Sequence, residues 1–169
     1  VAAEIAAALK AAGITAGIDG CRGLDHGAWV PLMHMYPAAG VPVLQLSVQP
    51  ARGARHHLAL GEALADLPAR GILVVGSGHA THNLRDWMMQ RRAPAPLPYV
   101  AEFAEWLAQR LADDDRDALA HWHERAPAAD RAHPSDEHFL PVLVALAAAG
   151  PHPVVTRVHR EIVDGALAM

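Results

Sequence analysis

The chain has 169 residues, 52% of them hydrophobic, and a formal net charge of −4, which suits one packed domain and argues against general disorder. No basic run extends beyond Arg91-Arg92, so a nucleic-acid footprint is not expected, and no uninterrupted apolar stretch reaches about 18 residues, so no membrane span is expected either. Cys21, the single cysteine, has no internal partner; a reducing cytoplasm is the natural compartment, and the thiol reads as a small buried side chain near a strand end rather than as a nucleophile.

Val1 to Ala12 reads as an amphipathic, alanine-rich helix carrying Glu4 and Lys10, without the pattern of a signal peptide. Ile14 to Asp19 is a short strand ending at Gly20. Val41 to Val48 is apolar and β-branched, a second strand. His57 to Leu67 sets Leu58, Leu60, Ala63, Leu64 and Leu67 on one helical stripe. Ile72 to Val75 is a strand that runs straight into Gly76-Ser77-Gly78, and its continuous apolar character predicts cover on both faces.

Arg92 to Pro98 is the clearest loop. Pro98 to Asp113 starts with proline and keeps Phe103, Trp106, Leu107 and Leu111 on one helical face. Asp114 to Arg125 continues as a second, more polar helix. Phe139 to Ala149 is an apolar helix stopped by Gly150-Pro151, and Pro153 to His159 is a last strand. Strands alternating with helices predict an α/β fold: a largely parallel sheet flanked by helices in a single domain.

Twelve histidines are present, and position has to decide which of them matter. In Gly23 to Leu32, His26 lies between Asp25 and Gly27. Either Asp25 orients an imidazole beside a ligand, or Asp25 caps the next helix and leaves His26 exposed. In Gly76 to Leu84, the glycines do not match a phosphate loop. They read as a tight turn delivering Thr81-His82-Asn83 to the start of a helix. His82 is then a ligand, an acid/base, or a hydrogen-bonded structural histidine, and His79 is expected to be exposed. In His133 to Pro141, two histidines and two acids abut the most apolar helix. The cluster is either an acidic helix start or a place where one donor binds metal.

Taken together and in this order, Gly-Leu-Asp-His-Gly-Ala-Trp-Val-Pro-Leu, Gly-Ser-Gly-His-Ala-Thr-His-Asn-Leu and His-Pro-Ser-Asp-Glu-His-Phe-Leu-Pro resemble the site motifs of the class III extradiol dioxygenases, in the branch of the DOPA 4,5-dioxygenases. The strand at Val41 to Gln49 and the His56-His57-Leu58-Ala59-Leu60-Gly61 helix start resemble that branch too. The resemblance implies a cytoplasmic enzyme that opens a catecholic ring with O2 on a non-haem metal, Fe(II) or, in the same site, Zn(II). It implies His138 as a metal ligand with Glu137 its rival, His82 at the metal or as acid/base, and His26 beside substrate or oxygen. His133 is then structural, while His34, His121, His123, His152 and His159 stand outside the site.

Members of the family carry further metal-binding histidines on earlier segments, and nothing before Gly20 here is a histidine. The expectation is therefore one domain over 1–169 that lacks an N-terminal portion. Two rival functions stay open: an inactive remnant that binds small aromatics or serves as a subunit, and a zinc hydrolase using His82 and His138. The absence of a His-Glu-x-x-His pattern weighs against the hydrolase.

Overall fold

A close pair of helices organises the molecule. The computed structural model describes residues 1–91 and 95–169; the loop expected at Arg92–Pro98 falls partly on residues 92–94, outside the described residues. Helix α1 spans Ala2–Ala11, α2 His26–Met35, α3 Gly53–Glu62, α4 Leu84–Gln90 and α5 Pro98–Ala112. The short α6 (Arg116–Ala120), α7 (Trp122–Arg125) and α8 (Ala129–Ala132) precede α9 (Leu140–Ala148), and an antiparallel pair, β1 (Ile162–Val163) and β2 (Leu167–Ala168), closes the order. Helices α3 and α9 touch backbone to backbone. A Cβ on Gly61 would lie 2.4 Å from the Val144 carbonyl oxygen and 2.6 Å from the Ala147 Cβ, so only glycine admits this approach.

The expected helices at Val1–Ala12, Pro98–Asp113 and Phe139–Ala149 appear within a residue or two of their predicted bounds. The second and third begin with a proline in the first turn, where its missing N–H leaves no bond unmade. The helix expected over His57–Leu67 instead starts at Gly53, so the His56-His57 pair lies inside it and not at its start. The single polar helix expected over Asp114–Arg125 is broken at His121 (φ −112°, ψ 31°). Leu119 and Trp122, on either side of the break, are both buried. Trp122 stacks on Phe139 with ring centroids 4.3 Å apart, and Phe103 meets both edge-on. These three rings, with Leu119, Leu140 and Leu143, form the main core.

Among the described residues no ladder hydrogen bond links Ile14–Asp19, Val41–Val48, Ile72–Val75 and Pro153–His159, and the two-residue β1–β2 pair, unforeseen in the sequence, is antiparallel. Nor is Ile72–Val75 covered on both faces. Ile72 and Val74 pack against the cluster of Leu60, Leu64, Leu67 and Ala148, whereas Leu73 and Val75 are exposed. That alternation is the period-two pattern of a strand backed by helices on one side. Val41, Val43, Leu44, Leu46 and Val48 are likewise exposed, and Val154 and Val158 almost wholly so. Cys21, expected to be buried, is also exposed.

No helix among the described residues is long and apolar enough to cross a membrane.

Candidate functional site

The turn after Ile72–Val75 is pressed against the start of α9. A Cβ on Gly76 would lie 2.4 Å from the Pro141 carbonyl oxygen, and one on Gly78 2.2 Å from that of His138. Neither glycine has a positive φ. They are required by close approach of two backbones, not by the turn conformation that the sequence suggests. This contact sets the residues after Gly78 beside His138, which ends a 3-10 turn at Asp136–His138 just before α9.

Five further bonds hold His82 and its neighbours in place. The fully buried Thr81 hydroxyl donates to the Ala166 carbonyl at 2.9 Å and accepts the Ala168 N–H at 2.8 Å, which clamps the turn onto the β1–β2 pair. The His82 N–H donates to the Ala132 carbonyl at 2.8 Å. Asn83 caps α4 by accepting the Asp86 N–H, as its position before a helix predicts, and donates to the Arg131 carbonyl at 2.7 Å. The Asp86 carboxylate in turn accepts from Tyr99 and Arg131, tying α4 to α5 and α8.

His82 and His138 meet face to face, their ring centroids 3.5 Å apart and planes 14° from parallel. His79, expected to be exposed, is half-buried and belongs to the same cluster: its ring lies 5.7 Å from that of His82 and 5.4 Å from that of His138. One ring nitrogen from each of the three falls within 4.8 Å of the others. The Nδ1 atoms of His79 and His138 are buried with no hydrogen-bond partner among the described residues.

Burial lowers all three imidazole pKa values, and proximity to His82 and His79 helps push His138 down to about 4. The cluster is neutral near pH 7, the form in which imidazole binds a metal or accepts a proton. The donors therefore suit a divalent cation of the borderline class.

Glu137 is exposed and accepts a hydrogen bond from Ser135 at 2.8 Å. Burial pushes its carboxyl up, but its own backbone N–H, Ser135 and the neighbouring histidines hold it below the usual value. It stands outside the histidine cluster, where it influences His82 and His138 only by charge.

His26 opens α2 and is exposed. Asp25 caps that helix by accepting the Ala28 N–H at 3.1 Å and also bonds the Gln45 amide, so its carboxylate does not orient the His26 ring. The start of α2 nevertheless lies beside the turn: a Cβ on Gly27 would be 3.9 Å from the Ser77 hydroxyl oxygen. His26 is also close enough to lower the His138 pKa by charge.

His133 is fully buried between Phe103, Trp122 and Phe139, and its Nε2–H donates to the Ala80 carbonyl at 2.8 Å. It supports the turn from below, and burial lowers its pKa to about 4. His57, which the sequence marks only as part of a helix start, is equally buried. Its Nδ1–H donates to the Gly53 carbonyl and its Nε2 accepts the Gln49 N–H, so both ring nitrogens serve the loop before α3. His121 and His123 engage acidic residues on the surface, away from the cluster. His79 and Thr81 are the site residues that sequence reasoning missed. The available signal was the spacing of Gly76 and Gly78: two glycines flush against a neighbour imply that the following side chains enter the same contact.

The family described as the catalytic LigB subunit of aromatic ring-opening dioxygenase matches residues 1–164. The chain is 43% identical to a 4,5-DOPA dioxygenase extradiol of Beta vulgaris, over 85% of this chain and 53% of that one. It is 39% identical to one from Mirabilis jalapa, over 95% and 60% respectively, and 33% identical to one from Escherichia coli (strain K12), over 87% and 55%. The crystal structure of the uncharacterized protein JW3007 from Escherichia coli K12 superposes with a TM-score of 0.83 at 30% identity, covering 99% of this chain and 69% of that one. The chain thus spans a little over half the length of the curated relatives it matches.

Proposed function

The chain belongs to the family of the catalytic LigB subunit of aromatic ring-opening dioxygenases, and from that premise we propose that it serves extradiol opening of a catecholic ring, DOPA or a related diol, by O2. The observation that carries this reading is the meeting of His82 and His138, from two separate motifs, in one half-buried neutral cluster. In the reaction a ring C–C bond beside the two hydroxylated carbons breaks and both atoms of O2 enter the product.

We assign His138 and His82 to a non-haem metal, Fe(II) in the working enzyme, with Zn(II) able to take the same donors. Such a cation, when bound, supplies positive charge that acidifies the catechol hydroxyl. His82 has one of two roles, second donor to the metal or acid/base; in the latter its neutral imidazole takes the hydroxyl proton at a ring nitrogen and returns it as the ring opens. His26, at the exposed start of α2, contacts the substrate. His133 and Thr81 keep the turn in register from beneath. We further assign Ile14–Asp19, Val41–Val48, Ile72–Val75 and Pro153–His159 to one largely parallel sheet of a single domain. The alternating exposure of residues 72–75, which has the period of a strand, supports the strand part of that assignment.

The test uses the longest form of the protein that its gene encodes, loaded with Fe(II) without air and then given DOPA or a simple catechol in air. The expected result is a yellow ring-opened product that His82→Ala abolishes. No product from the loaded protein with any catechol overturns the reading.

A further inference from the structure

We propose that His79 is a third cation ligand, so that His79, His82 and His138 form a three-imidazole site for a borderline divalent metal ion such as Zn(II) or Co(II). The inference rests on the metal reading above and adds a donor to it. A ring nitrogen of each histidine lies within 4.8 Å of the other two. Two of the Nδ1 atoms in the cluster, those of His79 and His138, are buried without a partner among the described residues. Buried polar atoms are nearly always paired, and those that are not call for a missing ion or water. Here three neutral rings are packed together, two of them face to face, and groups of the same kind have little to offer each other except a shared cation.

The backbone explains why His79 is present. Gly78 lies flush on the His138 carbonyl, so the residue immediately after it starts beside His138 whatever its side chain does. The donors are nitrogen only, which favours Zn(II), Co(II), Ni(II) or Cu(II) over Mg(II) or Ca(II). Metal–nitrogen bonds of about 2.0–2.1 Å place tetrahedral donors roughly 3.3 Å apart, so loading contracts the cluster by an amount that side-chain rotation supplies. It also requires the stacked His82 and His138 rings to splay, because in-plane lone pairs of parallel rings do not converge.

The test is binding, not turnover. The chain is titrated with Co(II), followed by its visible absorption, and with Zn(II), followed by calorimetry and by the ring-nitrogen NMR signals of 15N-histidine-labelled protein. The expected result is one equivalent bound, three histidine ring systems shifting together, and binding weakened at least about 100-fold in His79→Gln, since a direct ligand should matter no less than the outer groups that support one. Circular dichroism and thermal melting check that the variant folds, and the wild-type NMR result stands even if it does not. If His79→Gln binds like wild type, or only two ring systems shift, while His138→Gln abolishes binding, the inference is overturned and the metal reading stands. If His138→Gln and His82→Gln also bind like wild type, or if the wild-type chain takes up no metal, both are overturned.

Discussion

Replacing Gly78 with alanine tests the claim that two touching backbones build the site. The new Cβ would begin 2.2 Å from the His138 carbonyl oxygen, 3.0 Å from its carbonyl carbon and 3.3 Å from its Cα. All three are backbone atoms, which no side-chain rotation moves aside. Carbon and oxygen in comfortable contact stand well beyond 3 Å, so the two segments must part by roughly 1 Å or more. Overpacking of this kind costs about 1–3 kcal/mol of stability. The displacement falls on His138 itself, and a shift of about 1 Å in a positioned group is enough to cost on the order of a hundredfold in catalysis. Urea denaturation measures the first effect, and Co(II) titration at pH 7.5 the second, with at least a tenfold weakening expected. Gly40→Ala is the control: a Cβ there meets nothing within 4 Å and φ is not positive, so stability should be unchanged or raised by up to about 1 kcal/mol. A Gly78→Ala protein that unfolds with wild type and binds Co(II) equally well would refute the reasoning.

Thr81→Val removes a buried hydroxyl that accepts the Ala168 N–H and donates to the Ala166 carbonyl, leaving both groups without that partner. A loss of about 1–3 kcal/mol is expected, along with faster hydrogen exchange at the Ala168 amide; unchanged exchange there would show that the clamp is not what holds the turn. Acid should destabilise the chain through His133. Its folded pKa of about 4 lies below the ordinary 6.5, so below pH 6.5 the unfolded chain takes up a proton that the folded chain refuses. The contribution is complete above pH 6.5 and is lost progressively as pH falls toward 4, amounting to roughly 3 kcal/mol in all. Urea midpoints measured from pH 7 to 4 should drop accordingly, with a shallower slope in His133→Gln; parallel slopes in the two proteins would contradict this assignment.

The parts of the molecule that were legible in the sequence are those encoded within a few neighbouring residues. Prolines in the first turns of α5 and α9, Gly150 after α9 and Asn83 before α4 set helix ends through bonds and angles of the local chain. The same short range makes the three motifs recognisable, and with them His26, His82 and His138. The Asp25 cap on α2 was likewise one of the two readings that the sequence allowed. What the chain does at a distance was not legible. Asp25 also engages Gln45, Thr81 reaches Ala166 and Ala168, and His133 supports Ala80, partners that no periodicity predicts.

The sequence by itself thus determined several of the helices, the motif residues and the family. The tertiary structure decided that Gly76 and Gly78 are contact surfaces, that Leu73 and Val75 face outward while Ile72 and Val74 face in, and that His79 joins His82 and His138. These outcomes depend on which backbones approach closely enough to exclude a single methyl group. That distance is set by the packing of whole helices and not by any residue's own preference.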